Sequence, residues 1–237
     1  MSLSDQAYEQ IRKEIITCVL APGQQIAQSQ FVERFNLGVT PVREALTRLA
    51  HEGLVMPIPR FGYVITPLRL TDIADMYEYR LVLETAAIRR VCEQASDEQI
   101  AEIAAAANFT YDFSQPEHHT DFLQRNAEFH TQLARLSGIR RLADSLRQLL
   151  DELTRIFYIG LYLRDSTEEM RSEHVALANA LLARDADLAV ETMRSQIIRS
   201  QQRVVEALQK GILTTDAGLE NNSNSIPTIT IRGDHRP

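Results

Sequence analysis

Residues 38–53 constrain this chain more than any other stretch. Gly38 and Pro41 stand at their start and Gly53 at their end, and between them Val42, Ala45, Leu46 and Leu49 recur at helical spacing. A proline in the first turn of a helix forfeits no hydrogen bond, so Pro41 marks a beginning near Thr40, with Thr40 or Gly38 as the cap. The apolar residues define a dry side; Arg43, Thr47 and Arg48 fall on the other. Arg43 and Thr47 are one turn apart and Arg48 is adjacent. A guanidinium from Arg43 or Arg48 suits a guanine edge, while hydroxyls and the second guanidinium suit phosphate. The same residues, with Glu44 and Glu33 nearby, also suit an ordinary solvated surface.

The flanking segments favour the first use. Residues 5–18 read as a helix through Ala7, Ile11, Ile15 and Cys18, closed by Pro22-Gly23. A short helix over residues 28–35 places Phe31, Val32 and Phe35 on one face, and Asn36-Leu37-Gly38 turns the chain. Residues 55–57 and 63–65 are strand-like runs around Pro59-Arg60-Phe61-Gly62, which predicts a two-stranded wing. Three short helices and a hairpin make a winged helix-turn-helix whose third helix enters the major groove. Arg60 in the wing is placed to reach a minor groove or a backbone phosphate.

Beyond Pro67 the pattern is helix after helix, over residues 70–94, 97–113, 118–137, 139–162, 167–184 and 186–210. The expected fold is mainly α: a winged helix-turn-helix over residues 1–69 and an antiparallel six-helix bundle over residues 70–210. Residues 211–237, rich in Thr, Asn, Ser, Gly and Asp, are expected to form a disordered tail.

A formal net charge of −7 alone argues against nucleic acid, but the charge is uneven. Residues 1–70 hold seven Lys/Arg and six Asp/Glu, so the acidic excess belongs to the second part. That distribution disfavours an architectural, nonspecific DNA binder, which must neutralise many phosphates. Cys18 and Cys92 form no paired short spacing, so neither a disulfide framework nor a thiolate metal site is expected. No stretch resembles an export signal or a membrane span, and a cytoplasmic protein is expected.

The string Leu20-Ala21-Pro22-Gly23, then Ile26, Thr40-Pro41-Val42-Arg43-Glu44-Ala45-Leu46, Leu49 and Glu52-Gly53-Leu54-Val55, resembles the N-terminal motif of the GntR family of regulators. The resemblance implies DNA contacts from Thr40, Arg43, Thr47 or Arg48 and from the wing near Gly62. Gly38-Val39 stands where the family commonly has Ser-Arg, and Ala27 replaces the usual Ser cap, which implies lower affinity or a different operator.

Residues 70–210 resemble the helical FCD-type effector domain of the FadR-like branch, through Tyr77-x-x-Arg80-x-x-x-Glu84, Asn126-x-x-Phe129-His130, Glu173-His174, and Asp185 with Ala189 and Met193. Arg80 and Glu84 are four apart on a largely apolar strip, which suits either an internal ion pair or, as the resemblance implies, an effector site where Arg80 anchors a small organic acid. Asn126 and His130 share a helix face and His174 lies on a later helix, so the two imidazoles can converge on a metal or serve as core histidines. Metal-binding relatives carry an Asp or Asn and three histidines; Gln196 stands at the third histidine here. The implied metal site is Asn126, His130, His174 and Gln196, for zinc, nickel or manganese, with affinity weakened by the amide. His118-His119 is expected to face solvent.

The sequence thus predicts a non-enzymatic regulator, repressing as its family usually does. It is expected to bind a double-stranded DNA operator as a homodimer and to respond to a small acid, with no membrane partner. The competing class is a metal-dependent hydrolase on His130 and His174 with Glu128 or Glu173 as base, which lacks an H-E-x-x-H motif and three firm ligands.

Overall fold

The computed structural model of the protein describes residues 1–215, apart from the side chains at positions 70, 116, 117, 162 and 210–215. Its residues up to Lys210 divide into two compact units, Met1–Arg69 and Leu70–Lys210.

The first unit runs α1 (Leu3–Ile16), β1 (Gln25–Ile26), α2 (Gln28–Phe35), α3 (Val39–His51), β2 (Val55–Ile58) and β3 (Gly62–Ile65). A capping box starts α1: the Ser2 hydroxyl oxygen accepts from the Asp5 N–H, and the Asp5 carboxylate accepts from the Ser2 N–H. Ala27 has no side chain with which to cap α2, but Gln30 Oε1 accepts from the Ala27 N–H and satisfies one donor. Asn36 takes the left-handed conformation and turns the chain into α3, whose N-cap is Gly38. Ile11 and Ile15 of α1, Phe31 of α2, Leu46 and Leu49 of α3 and Ile65 of β3 form one buried core.

The expected two-stranded wing is instead part of a three-stranded antiparallel sheet in the order β1-β3-β2. Ile26 lies opposite Tyr63, and Ile58 opposite Gly62. A strand of two residues cannot display alternation, which is why β1 leaves no mark in the sequence pattern.

The second unit holds α4 (Leu70–Gln94), α5 (Asp97–Ala106), α6 (Pro116–Leu136), α7 (Arg140–Leu163), α8 (Thr167–Leu182) and α9 (Ala186–Thr215). In it α4 packs on α6 and α7, and α5 on α6 and α8. Two expected boundaries are corrected. Helix α5 stops at Ala106 rather than 113, because Phe109, Tyr111 and Phe113 alternate at a spacing of two, an extended pattern that no helix face accommodates. Phe109 and Tyr111 are buried against Phe122. Helix α9 continues to Thr215, so residues 211–215 of the expected tail are helical; residues 216–237 lie outside the described residues. His118 is exposed as expected, but His119 is buried, with the rings of Tyr111, Phe113 and Tyr158 around it.

Gly62 has φ +97°, and a Cβ there would lie 2.6 Å from the Ile26 carbonyl oxygen. Gly62→Ala is therefore expected to destabilise the first unit by about 2 kcal/mol or more, the combined effect of a left-handed alanine and a backbone clash. Urea unfolding followed by circular dichroism measures it, and an unchanged midpoint would contradict the β1–β3 contact.

Candidate functional site

Two places gather the residues singled out above. On α3, Val42, Ala45, Leu46 and Leu49 are buried, while Thr40, Arg43 and Thr47 are exposed. The Thr47 hydroxyl donates to the Arg43 carbonyl at 2.9 Å, which leaves its oxygen lone pairs outward. Arg48 differs from its neighbours. Its guanidinium lies 3.6 Å from the centre of the Tyr8 ring and pairs with Glu52 at 3.4 Å and Asp5 at 3.9 Å. The Tyr8 hydroxyl donates to both Glu52 oxygens, at 3.0 and 2.8 Å, so Arg48 is bound into a tie between α1 and α3. Burial and the Glu52 carboxylate push the Tyr8 hydroxyl up to about 12, so it keeps its proton and remains a donor.

Arg60 is exposed at the wing tip, and Gly62 is set against β1 behind it. Val39 at the start of α3 and Phe61 in the wing are both exposed, and the sequence pattern assigned neither a contact of its own. Reading helices by their buried faces passes over apolar residues that point outward.

The second place is inside the helical unit, where Arg80, Glu84, Asn126, His130, His174 and Gln196 are all buried. Arg80 Nε donates to Glu84 Oε1 at 2.5 Å, and its Nη2 donates to His130 Nε2 at 3.3 Å. Because arginine only donates, His130 carries its proton on Nδ1, which donates to Glu84 Oε2 at 2.5 Å. The three side chains close a ring between α4 and α6. Burial by itself would raise the Glu84 carboxyl, but the Arg80 charge, His130 and the hydrogen bonds from both outweigh it and hold it at about 2.

His174 faces the same ring, 5.5 Å between imidazole centres from His130, with Phe109 stacked on it at 4.8 Å. Neither of its ring nitrogens, nor the Gln196 Oε1, has a hydrogen-bond partner among the described residues, although all three atoms are buried. Desolvation first, then the neighbouring His130 and the Arg80 guanidinium, hold the His174 pKa well below the usual histidine value.

A second ion pair went unnoticed in the sequence. Arg203 donates to both oxygens of Glu173 at 2.7 and 2.8 Å. Its signal was present: residues 196, 200 and 203 share one face of α9, and Ser200 meets the Tyr77 hydroxyl at 3.1 Å.

As folded, this donor set does not fit a divalent metal. Both His130 nitrogens are engaged, one of them by a guanidinium that a metal cation would have to displace. His174 and the amides of Asn126 and Gln196 remain, and neutral amide oxygens are weak partners for zinc or nickel. Among the described residues, no group of three or more His, Cys, Asp or Glu is placed to hold a metal ion.

Residues 3–65 match the family described as bacterial regulatory proteins, gntR family, and residues 75–199 match the FCD domain. The chain belongs to the GntR family. It is similar to the HTH-type transcriptional repressor RspR of Escherichia coli strain K12, 24% identical over 208 residues that cover 88% of this chain and 91% of that protein. The HTH-type transcriptional repressor GlaR of the same strain is 26% identical over 199 residues, covering 81% and 90%. Among solved structures, a putative GntR regulator from Rhodococcus sp. RHA1 superposes with TM-score 0.68 at 19% identity, covering 87% of this chain and 99% of that one. E. coli McbR/YncC gives 0.66 at 19%, covering 89% and 99%. These two likenesses show the fold alone. Among the described residues, no helix is long and apolar enough to cross a membrane.

The depressed pKa of His174 has a consequence for stability. The unfolded chain takes up a proton near the ordinary value of 6.5 while the folded one refuses it, so the stabilising contribution is present above 6.5 and is lost as pH falls below it. The loss is up to about 1.4 kcal/mol per pH unit. Urea midpoints at pH 7 and pH 5 should differ accordingly, and His174→Gln should remove most of the difference; a slope unaffected by that variant would show the proton binding elsewhere.

Proposed function

We propose that this GntR-family protein is a sequence-specific repressor that reads its operator as a homodimer and is loosened from it by a small carboxylate held in the helical unit. The DNA half rests on α3, whose exposed Thr40, Arg43 and Thr47 stand opposite a fully buried face. Two copies on one duplex would read half-sites roughly 34–36 Å apart. That RspR and GlaR are named as repressors supports repression rather than activation.

The effector half rests on one observation: buried, unpartnered polar atoms on His174 and Gln196 in the unit that also buries Arg80. Such atoms cost free energy unless something supplies their hydrogen bonds. An acid entering there meets a guanidinium already oriented by Glu84 and His130, which favours a fixed carboxylate geometry. Binding that differs between two dimer geometries by about 1–3 kcal/mol changes operator affinity by roughly 5- to 150-fold.

The hydrolase reading finds its bases already committed. Glu128 is exposed and holds Gln132 and Arg135, and Glu173 is bonded to Arg203. The zinc, nickel or manganese site would require Arg80 to leave His130; equilibrium dialysis of the native protein is expected to show no stoichiometric uptake, and Gln196→His to increase it. One tightly held metal per native chain would return Asn126, His130 and His174 to the role of ligands.

Duplexes enriched from a random library by the full-length protein supply the operator. Arg43→Ala is expected to abolish binding to them while the variant stays folded, and unchanged affinity would refute the reading face. A panel of small mono-, di- and hydroxycarboxylates should contain at least one that raises the melting temperature and weakens the DNA complex. The double variant Arg80→Met/Glu84→Gln, which leaves no lone buried charge, should lose that response. Were no acid in the panel to alter DNA affinity, the effector half would fall.

A further inference from the structure

The wing tip contains a conformation that is unfavourable for the residue it carries. The chain between β2 and β3 turns through Pro59 and Arg60, with the Phe61 N–H donating to the Ile58 carbonyl at 3.1 Å. Arg60 has φ +70°, at the turn position where glycine or asparagine is the usual occupant. A long side chain held in the left-handed region is strained, and such strain persists where the surroundings impose it and gathers at functional positions. The surroundings here do impose it. Gly62 is pressed onto the Ile26 carbonyl, Ile65 N–H donates to the Gln24 carbonyl at 2.9 Å, and the three strands fix the base of the loop.

On this rigid tip stands Phe61, 72% exposed. Exposed phenylalanine is uncommon, and this one is flanked by a cation on the tip of a DNA-binding unit. We infer that Phe61 is a minor-groove wedge: its ring inserts at a base step while the Arg60 guanidinium lies along the negative floor of the groove. The chemistry is complementary on both counts. Apolar side chains inserted at base steps unstack and kink a duplex, and arginine is drawn into the narrow minor groove by its negative potential. Phe61 then adds shape-dependent specificity, favouring flexible pyrimidine–purine steps at a fixed distance from the base pairs read by α3. This contact rests on the DNA-binding reading above and adds a residue to it.

The probe is a duplex enriched from a random library by the full-length protein, carrying 2-aminopurine at successive steps under the wing. With native protein, fluorescence should rise at one step per half-site as the base unstacks. Phe61→Ala should abolish the rise and weaken binding by about 5- to 150-fold per half-site, the loss of one aromatic–base contact in each. Its thermal midpoint should not fall, since the ring supports no core. Phe61→Trp should restore both signals. The dependence of affinity on salt separates the two side chains: Phe61→Ala should leave its slope unchanged, and Arg60→Ala should reduce it by about one ion per half-site. Phe61→Ala with native affinity and native fluorescence overturns the wedge while the DNA reading stands. A change in oligomeric state with native DNA affinity would assign the ring to a protein contact and also overturn it. A library that yields no enriched duplex removes the DNA reading and the wedge together.

Discussion

The helical unit is organised around the burial of one positive charge. A guanidinium withdrawn from water without compensation is unfavourable by several kcal/mol, so the fold that hides Arg80 must bring it an anion and satisfy its donors. Helix α4 supplies the anion itself, one turn further on, in Glu84. Helix α6 supplies the remaining acceptor through His130, which bonds to both members of the pair. The relative placement of α4 and α6 is thus set by a closed ring of hydrogen bonds as well as by apolar packing. Apolar side chains of similar volume would often be at least as stable there, so the ring is more readily understood as a means of orienting charge than as a source of stability.

The same ring bears on the arrangement that suggests a metal site in the sequence. In sequence, Asn126, His130 and His174 look like ligands, because spacing reports which side chains share a face and nothing about what already occupies their nitrogens. Arg80 takes one nitrogen of His130 and Glu84 the other. What is left is the desolvated imidazole of His174, with neither ring nitrogen partnered among the described residues, and the buried amides of Asn126 and Gln196.

Much of the fold was legible, for particular reasons. Pro41 and Gly53 bracket α3 in the sequence and in the structure, and the buried set Val42, Ala45, Leu46 and Leu49 follows directly from the helical period. The six helices of the second unit were equally plain, being long and strongly periodic. What was missed was short or depended on distant contacts. Strand β1 has two residues, the end of α5 is decided by rings that pack on α6, and His119 is buried by aromatic side chains from two other segments. The i,i+4 spacing of Arg80 and Glu84 was visible, whereas the insertion of His130 between them was not, because it joins residues 46 and 50 positions apart. The exposed Phe61 was written in the wing motif, but an outward apolar side chain has no periodic partner to draw notice.

The stacking of Arg48 on Tyr8 bears on the state in which α3 presents its outer face. An arginine on a free helix surface samples many rotamers and surrenders them on binding, at about 0.5–1.5 kcal/mol for such a side chain. Here the guanidinium is held against a ring and two carboxylates, and those groups belong to α1 and to the end of α3. That loss is taken during folding, and α3 presents its outer face with one fewer loose side chain. It follows that α1 helps to set the state of α3: a change at Asp5 or Tyr8 alters the electrostatic and conformational state of the outer face of that helix.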